Sequence, residues 1–599
     1  MISTQDPPKA TYIVPVIVAL VLCQSLSAQK TSPDLSEARS AMAAGLSEAN
    51  QGDLDLARRD FARAVELAPN VSAAHGALGS VLLSLGQVNA ALEELNRAHA
   101  LDPADVSTDL NLARAEVAVG RFDAALPLFR AALASSPAPV LSAEESLAYG
   151  KALAGTGDLT SAENELREAV NRAPDSAQLN DALGTAIAQR GRVEEALPLF
   201  QRAVAVDPAL GLAQYHLGAG LLGLNRPQEA LGPLQLAATA IPNSFDVELQ
   251  LGRALSALHQ DAEALTHLRR AAEFRSATTS ANLVYDLALA LQASGDPKSA
   301  LPLFESALKD PSVANSSAYT NDALAHVQTG DATGAIPLYN QALKLGPESP
   351  ILREDFGVAY LQEADLVDAI EQFRLGLAME PDSAHLHYDL GLALKLKDDL
   401  AAAVPEFERA AQLDPNLPDP AYTLGVIYMQ QGKFTEAVAQ LERATALQPA
   451  NGDAWALLGG VLKDSGDTKG AAQALKRAIL LEPNQPSLHI QLAALESQAG
   501  DKDGAAAERK IAADLSRDAI TRQRASFALK SGRALLDQNK LDDAIQQFNT
   551  AAQADPKLAE PHSLLAEAYS RQGKSADAAL ERQRATTLEH QAGPETTHP

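Results

Sequence analysis

The chain has 599 residues, 46% hydrophobic and only 4% aromatic, so its core must be built mainly from Ala and Leu. A formal charge of −27, from 76 acidic and 49 basic residues, argues against sequence-independent nucleic-acid binding, which needs a basic face against phosphate, and favours solubility. The one cysteine, Cys23, rules out an intramolecular disulfide and a cysteine-built metal site.

The first predicted element is an apolar run of twelve residues, Tyr12 to Cys23, followed by Ser25, Ser27 and Ala28. That is the length of a signal-peptide core and short of the ~20 residues a spanning helix needs. The small residues suit cleavage after Ala28, giving residues 1–28 as a leader and a periplasmic or secreted protein. Lipidation at Cys23 is a second reading, although Leu22 stands where a lipobox wants a small residue, and an uncleaved anchor is a third. Any membrane contact would then run only through this segment. Residues 29–37 read as a short polar lead-in.

From Ala38 the chain repeats. Copies begin near residues 38, 72, 106, 143, 177, 211, 245, 281, 316, 350, 384, 418, 452, 486, 525 and 559, each with two helical patterns. Length alone would suggest about four ordinary domains, but repetition overrides that prior. Position 8 of each copy is Gly or Ala, position 20 is always Ala, and position 27 is Ala except at Gly376. Two antiparallel helices approach closely only where facing residues lack bulk, and large apolar residues at positions 7 and 24 close around that contact. Position 24 is Phe, Leu or Tyr, except for Arg509 and Arg582 in copies fourteen and sixteen. Between the helices Gly-Asp recurs, as at Gly52-Asp53 and Gly466-Asp467, where Gly permits the left-handed turn and Asp favours the next helix start. After the second helix Pro recurs, from Pro69 and Pro103 to Pro483 and Pro556, and a proline there cannot continue the helix.

Extra residues fall near Ala138–Ser142, Ser276–Ser280 and Ser312–Ser316. The largest departure is about five residues at 520–524. It is read as a joint between copies 1–14 (38–519) and copies 15–16 (525–592), ahead of a disordered tail at 593–599. In the last helix Glu581, Arg582 and Arg584 suit the polar outer face of a terminal repeat.

The unit Asp414–Pro449, with Leu424-Gly425, Tyr428, Ala437, Leu441 and Ala444, resembles a tetratricopeptide repeat. The resemblance implies an all-α fold, an α-solenoid wound as a right-handed superhelix, working as a scaffold or adaptor that binds a segment or helix of a protein partner. An alternative is an accessory subunit of an envelope machine, in polysaccharide export or outer-membrane assembly. In this family the binding groove is lined by first-helix positions 2, 5, 6, 9 and 12. Here that brings forward Tyr215, Tyr285, Tyr388 and Tyr422 at position 5, and His216, Gln250, Asp286, Asn321, Asp355 and Asp389 at position 6. Exposed tyrosines beside carboxylates and amides suit a peptide backbone, and Tyr is enriched at binding hot spots. They also suit a plain solvated face whose rings pack partly on the next repeat.

Other readings fall away. The family's carboxylate clamp for chaperone tails is not matched by Gly76, Ser80 and Asn111, and its long Asn ladder is reduced to Asn111 and Asn321. No P-loop, HExxH or GxSxG is present, so neither an enzyme nor a cofactor is expected. His385 and His387, two apart on a helix, point in different directions and do not suit a metal. Trp455, at position 4, reads as a packing residue.

Overall fold

The computed structural model describes residues 33–592. The expected leader (1–28), the start of the lead-in and the tail (593–599) lie outside the described residues. By packing, the chain divides into two units, Met1–Thr329 and Gly330–Pro599. Within the described residues the first unit runs from helix Pro33–Gln51 to helix Ser316–Gln328, and the second from Ala332–Leu345 to Ser575–Ala592. Among the described residues there are helices and no strands, and in each unit consecutive helices pack in pairs.

The predicted register holds closely. The first helices of copies two to fourteen begin at Ser72, Val106, Ala143 and onward to Pro486, as the spacing predicts. Two places differ. Copy one begins at Pro33, so residues 33–37 of the expected lead-in are helical; a proline suits the first helical position, and Asp34 in the first turn complements the helix dipole. The residues at 520–524, read as a joint, lie within one helix of 36 residues, Lys502–Asp537, which joins the second helix of copy fourteen to the first of copy fifteen. The cause is legible: Arg517 occupies the slot where most copies carry the helix-ending proline.

Within each unit the core is the seam between the paired helices of a copy. Phe61, Phe129, Phe304, Phe373, Phe407 and Phe548, all at position 24, are at most 1% exposed. Where the facing position 8 is glycine, there is no room for a side chain. A Cβ built on Gly218 would lie 2.5 Å from Leu234, and one on Gly391 2.9 Å from Phe407. Truncating such a phenylalanine to Ala costs about 3–5 kcal/mol. Arg509 and Arg582 leave this seam and are exposed, with Arg582 donating to the Ser570 hydroxyl at 2.6 Å. Glu581 does not join an outer polar face: it is 7% exposed and pairs inward with His562 and with Arg584, each at 2.6 Å.

The turn slot after each first helix has positive φ even where it is not glycine, as at Asn225, His259, Ala364, Asp398 and Asn539. The next residue caps the second helix in many copies: Asp158 accepts from the Ser161 amide at 3.1 Å and Asp467 from the Gly470 amide at 2.9 Å. The added residues near Ala138–Ser142 form a loop, ended by a capping box of Ser142 and Glu145.

A tie the sequence did not suggest runs from position 4 to the preceding proline. The side-chain nitrogens of Asn180, Gln214 and Trp455 donate to the carbonyls of Pro174, Pro208 and Pro449 at 2.9, 3.0 and 3.1 Å. His75, His387 and His489 place Nε2 3.0–3.2 Å from the carbonyls of Pro69, Pro381 and Pro483. Their Nδ1 atoms lie 2.5–2.6 Å from Glu94, Glu406 and Glu508 at position 23. Copy seven reverses the pair, with Glu248 at position 4 and His267 at position 23, 2.6 Å apart. Each tie fastens a first helix to its own second helix or to the loop before it. Trp455 is therefore a hydrogen-bond donor as well as a packing residue, and His387 serves this tie.

Candidate peptide-binding face

The ten candidate residues all lie on first helices and all are half-buried. The first unit carries Tyr215, His216, Gln250, Tyr285, Asp286 and Asn321; the second carries Asp355, Tyr388, Asp389 and Tyr422. The tyrosines are thus not the open side chains expected from the sequence. Tyr285 and Tyr388 pack on Phe304 and Phe407 of their own copies, with ring centroids 5.6 Å apart in both cases. Position 5 lies beside position 24 of its own copy, so the two rings meet it edge-on or tilted and are partly covered there.

Neighbouring copies are linked through a rung from position 5 to position 6 of the next copy. The Nδ2 of Asn321 donates to the Tyr285 hydroxyl at 2.6 Å, and Asp181 lies 2.7 Å from Nδ1 of His216. Tyr388 is hydrogen-bonded to Thr423. Helical spacing revealed the face but not the rung, because its partners lie about one repeat apart in sequence.

Burial pushes the Tyr215 phenol up to about 12 and raises those of Tyr285, Tyr388 and Tyr422, so all four hydroxyls stay protonated at neutral pH. A carboxylate at position 2 of the next copy adds to the rise at Tyr215, Tyr388 and Tyr422: Asp246, Asp419 and Asp453, all exposed. Asp286 adds to it at Tyr285. Because Tyr285 accepts from Asn321, its own proton remains available to a carbonyl. The face therefore presents rigid aromatic edges, phenol donors and carboxylate acceptors, the groups that bind an extended backbone.

The acidic side chains divide sharply. Asp355 and Asp389 are pushed by burial up to about 6 and about 7, and Glu354 is raised by the same cause. Glu163, by contrast, is held down to about 2 by Arg192, with Arg167 and Arg190 helping. Two features escaped the sequence reading. Glu354 stands at position 5 beside the predicted Asp355. Asp322, 5% exposed, occupies position 7, which is apolar in most copies, and burial pushes it up to about 6. No three metal-ligating side chains converge among the described residues.

Comparison with known proteins follows this geometry. The tetratricopeptide repeat model matches residues 42–106, 182–245, 285–350, 354–418 and 422–489, a second such model matches 116–185, and a TPR repeat model matches 532–573. No curated protein matches the chain. Among solved structures, "MamA RS-1 ArsTM double mutant" is 23% identical and covers 28% of this chain and 95% of its own, with a TM-score of 0.27. "MamA 41-end from Desulfovibrio magneticus RS-1" is 22% identical over 28% and 96%, with a TM-score of 0.27. The APC/C hetero-tetramer Cut9-Hcn1 is 15% identical over 97% of both chains, with a TM-score of 0.26. With repeat matches over more than half of its length, this chain belongs to the tetratricopeptide repeat family, a protein–protein interaction scaffold.

Proposed function

We propose that the first-helix face carrying the position-5 tyrosines is a docking surface for an extended segment or helix of a partner protein, and that the chain acts as an adaptor. The observation that carries this reading is the recurrence of a half-buried tyrosine, its hydroxyl protonated, beside a carboxylate or amide at Tyr215, Tyr285, Tyr388 and Tyr422. Binding would be spread over several copies, since each repeat touches mainly its neighbours. No catalytic step is assigned to the chain. The apolar run at Tyr12–Cys23 supports export, and with it the narrower reading of an accessory subunit of an envelope machine.

The test is affinity capture from native extract with the mature chain beside a Tyr285→Ala/Tyr388→Ala/Tyr422→Ala variant, with Phe at the same positions as fold-preserving controls. A partner held by wild type, weakened by the Phe variant and lost by the Ala variant supports the reading. A partner held equally by all three removes it.

A further inference from the structure

One rung of the ladder is built from two acceptors. Glu354, at position 5 of helix Pro350–Gln362, takes the place that Tyr285 and Tyr388 fill elsewhere, and Asp389, at position 6 of helix Ala384–Leu396, takes the place of Asn321 or Thr423. Asp355 lies beside them, and the charges of both Glu354 and Asp355 act on Asp389. Among the described residues these three carboxylates have no hydrogen bond or ion pair, and of the basic side chains only the exposed His385 acts on Glu354. Three carboxylates half out of water, with no lysine or arginine paired to them, cost stability that the fold does not recover locally.

A second, independent feature lies in the second helix before them. Tyr339, in the second helix of copy nine (Ala332–Leu345), is 0% exposed and stacks on Phe356 with centroids 5.3 Å apart. Among the described residues its hydroxyl has no hydrogen-bond partner, and the charge that acts on it is that of Asp355. An unpaired buried hydroxyl costs about 1–3 kcal/mol, so a further polar group within the field of Asp355 is left unsatisfied.

The missing component is a positive charge. A bare metal ion needs several ligands converging within bonding distance, and no such group exists among the described residues. A cation on a flexible stem has no such requirement, because it can rest between carboxylates on two helices. The same helix face supplies a lining for the stem: Ile351, 69% exposed, and the half-buried Val358 follow the helical spacing of Glu354 and Asp355. We infer that Glu354, Asp355 and Asp389 receive an arginine or lysine side chain of the bound segment, an assignment that rests on the docking face proposed above. The partner segment is accordingly cationic at this point, complementary to an acidic chain.

The experiment uses random dodecapeptides displayed on phage, selected on the immobilised full chain. Enriched peptides are resynthesised with fluorescein and titrated by anisotropy. They are expected to share an Arg or Lys and to bind Glu354→Gln/Asp355→Asn/Asp389→Asn at least tenfold more weakly than wild type. Changing the shared Arg or Lys to Gln should cost as much, and the two changes together should cost little more. The triple amide variant should melt at or above the wild-type temperature, which separates lost recognition from lost fold. Peptides lost on Tyr388→Ala/Tyr422→Ala but indifferent to the amide variant, or lacking a shared cation, would overturn the inference and leave the docking face standing. Peptides indifferent to both variants, or no enrichment at all, would overturn both.

Discussion

Replacing Asp389 by Asn should stabilise the second unit, and the gain should grow with pH. The unfolded carboxyl titrates near 3.8 and the folded one near 7, so between these values the folded state binds the proton that the unfolded state has released. A raised folded value contributes stability that is complete below 3.8 and is lost as pH rises through about 7. A shift of about 3 units corresponds to about 4 kcal/mol in full. Asp389 keeps partial contact with water and shares its field with Glu354 and Asp355, so screening reduces this to about 1–2 kcal/mol. Asn keeps the shape and removes the charge. Urea unfolding followed through Trp455, the single tryptophan and two copies away, reads the change. The variant should exceed wild type at pH 8 by about 1 kcal/mol more than at pH 5. A pH-independent gain, or a variant less stable at pH 8, would refute the account of this cluster.

Other predictions follow from the seam and the ties. Gly218→Ala puts a Cβ 2.5 Å from Leu234 and should cost about 1–3 kcal/mol, whereas Gly232→Ala, in the same copy with nothing within 4 Å, should gain about 0.5–1 kcal/mol in urea melts. Glu163→Gln should destabilise by about 2 kcal/mol at pH 7, since three arginines lose their shared carboxylate. The Glu163 carboxyl is lowered in the fold, so its contribution is present above 4.5 and lost as pH falls through about 2, where variant and wild type should converge. Arg517→Pro should break helix Lys502–Asp537 at a cost of about 3 kcal/mol and open residues 516–524 to limited proteolysis; an unchanged cleavage pattern would contradict a continuous helix there.

Much of the fold was legible because its constraints are local and repeated. Position 8 must be small wherever position 24 is a phenylalanine or leucine in contact with it, so the pairs Gly391–Phe407 and Gly425–Leu441 announce the seam. Pro and Gly mark where helices stop, and the missing proline at Arg517 was the sign that one did not. The candidate face was legible by its spacing, but its exposure was not, since only packing shows that Phe304 and Phe407 cover the rings of Tyr285 and Tyr388. Pairings such as Glu354 with Asp389 and Tyr285 with Asn321 lie 35 and 36 residues apart, beyond the reach of helical periodicity. The position-4 tie was hidden for a different reason: His, Asn, Gln and Trp share a side-chain N–H and little else, so no single residue type marks the slot.

The most direct test of the docking face is site-specific photo-crosslinking in the native host. Benzoylphenylalanine would be placed at Tyr388 or Tyr422, and for comparison at Leu480, which is 68% exposed on a second helix. The account predicts one and the same protein partner crosslinked from Tyr388 and Tyr422 and absent from Leu480. Crosslinking from Leu480 alone, with both tyrosine positions silent, would contradict it.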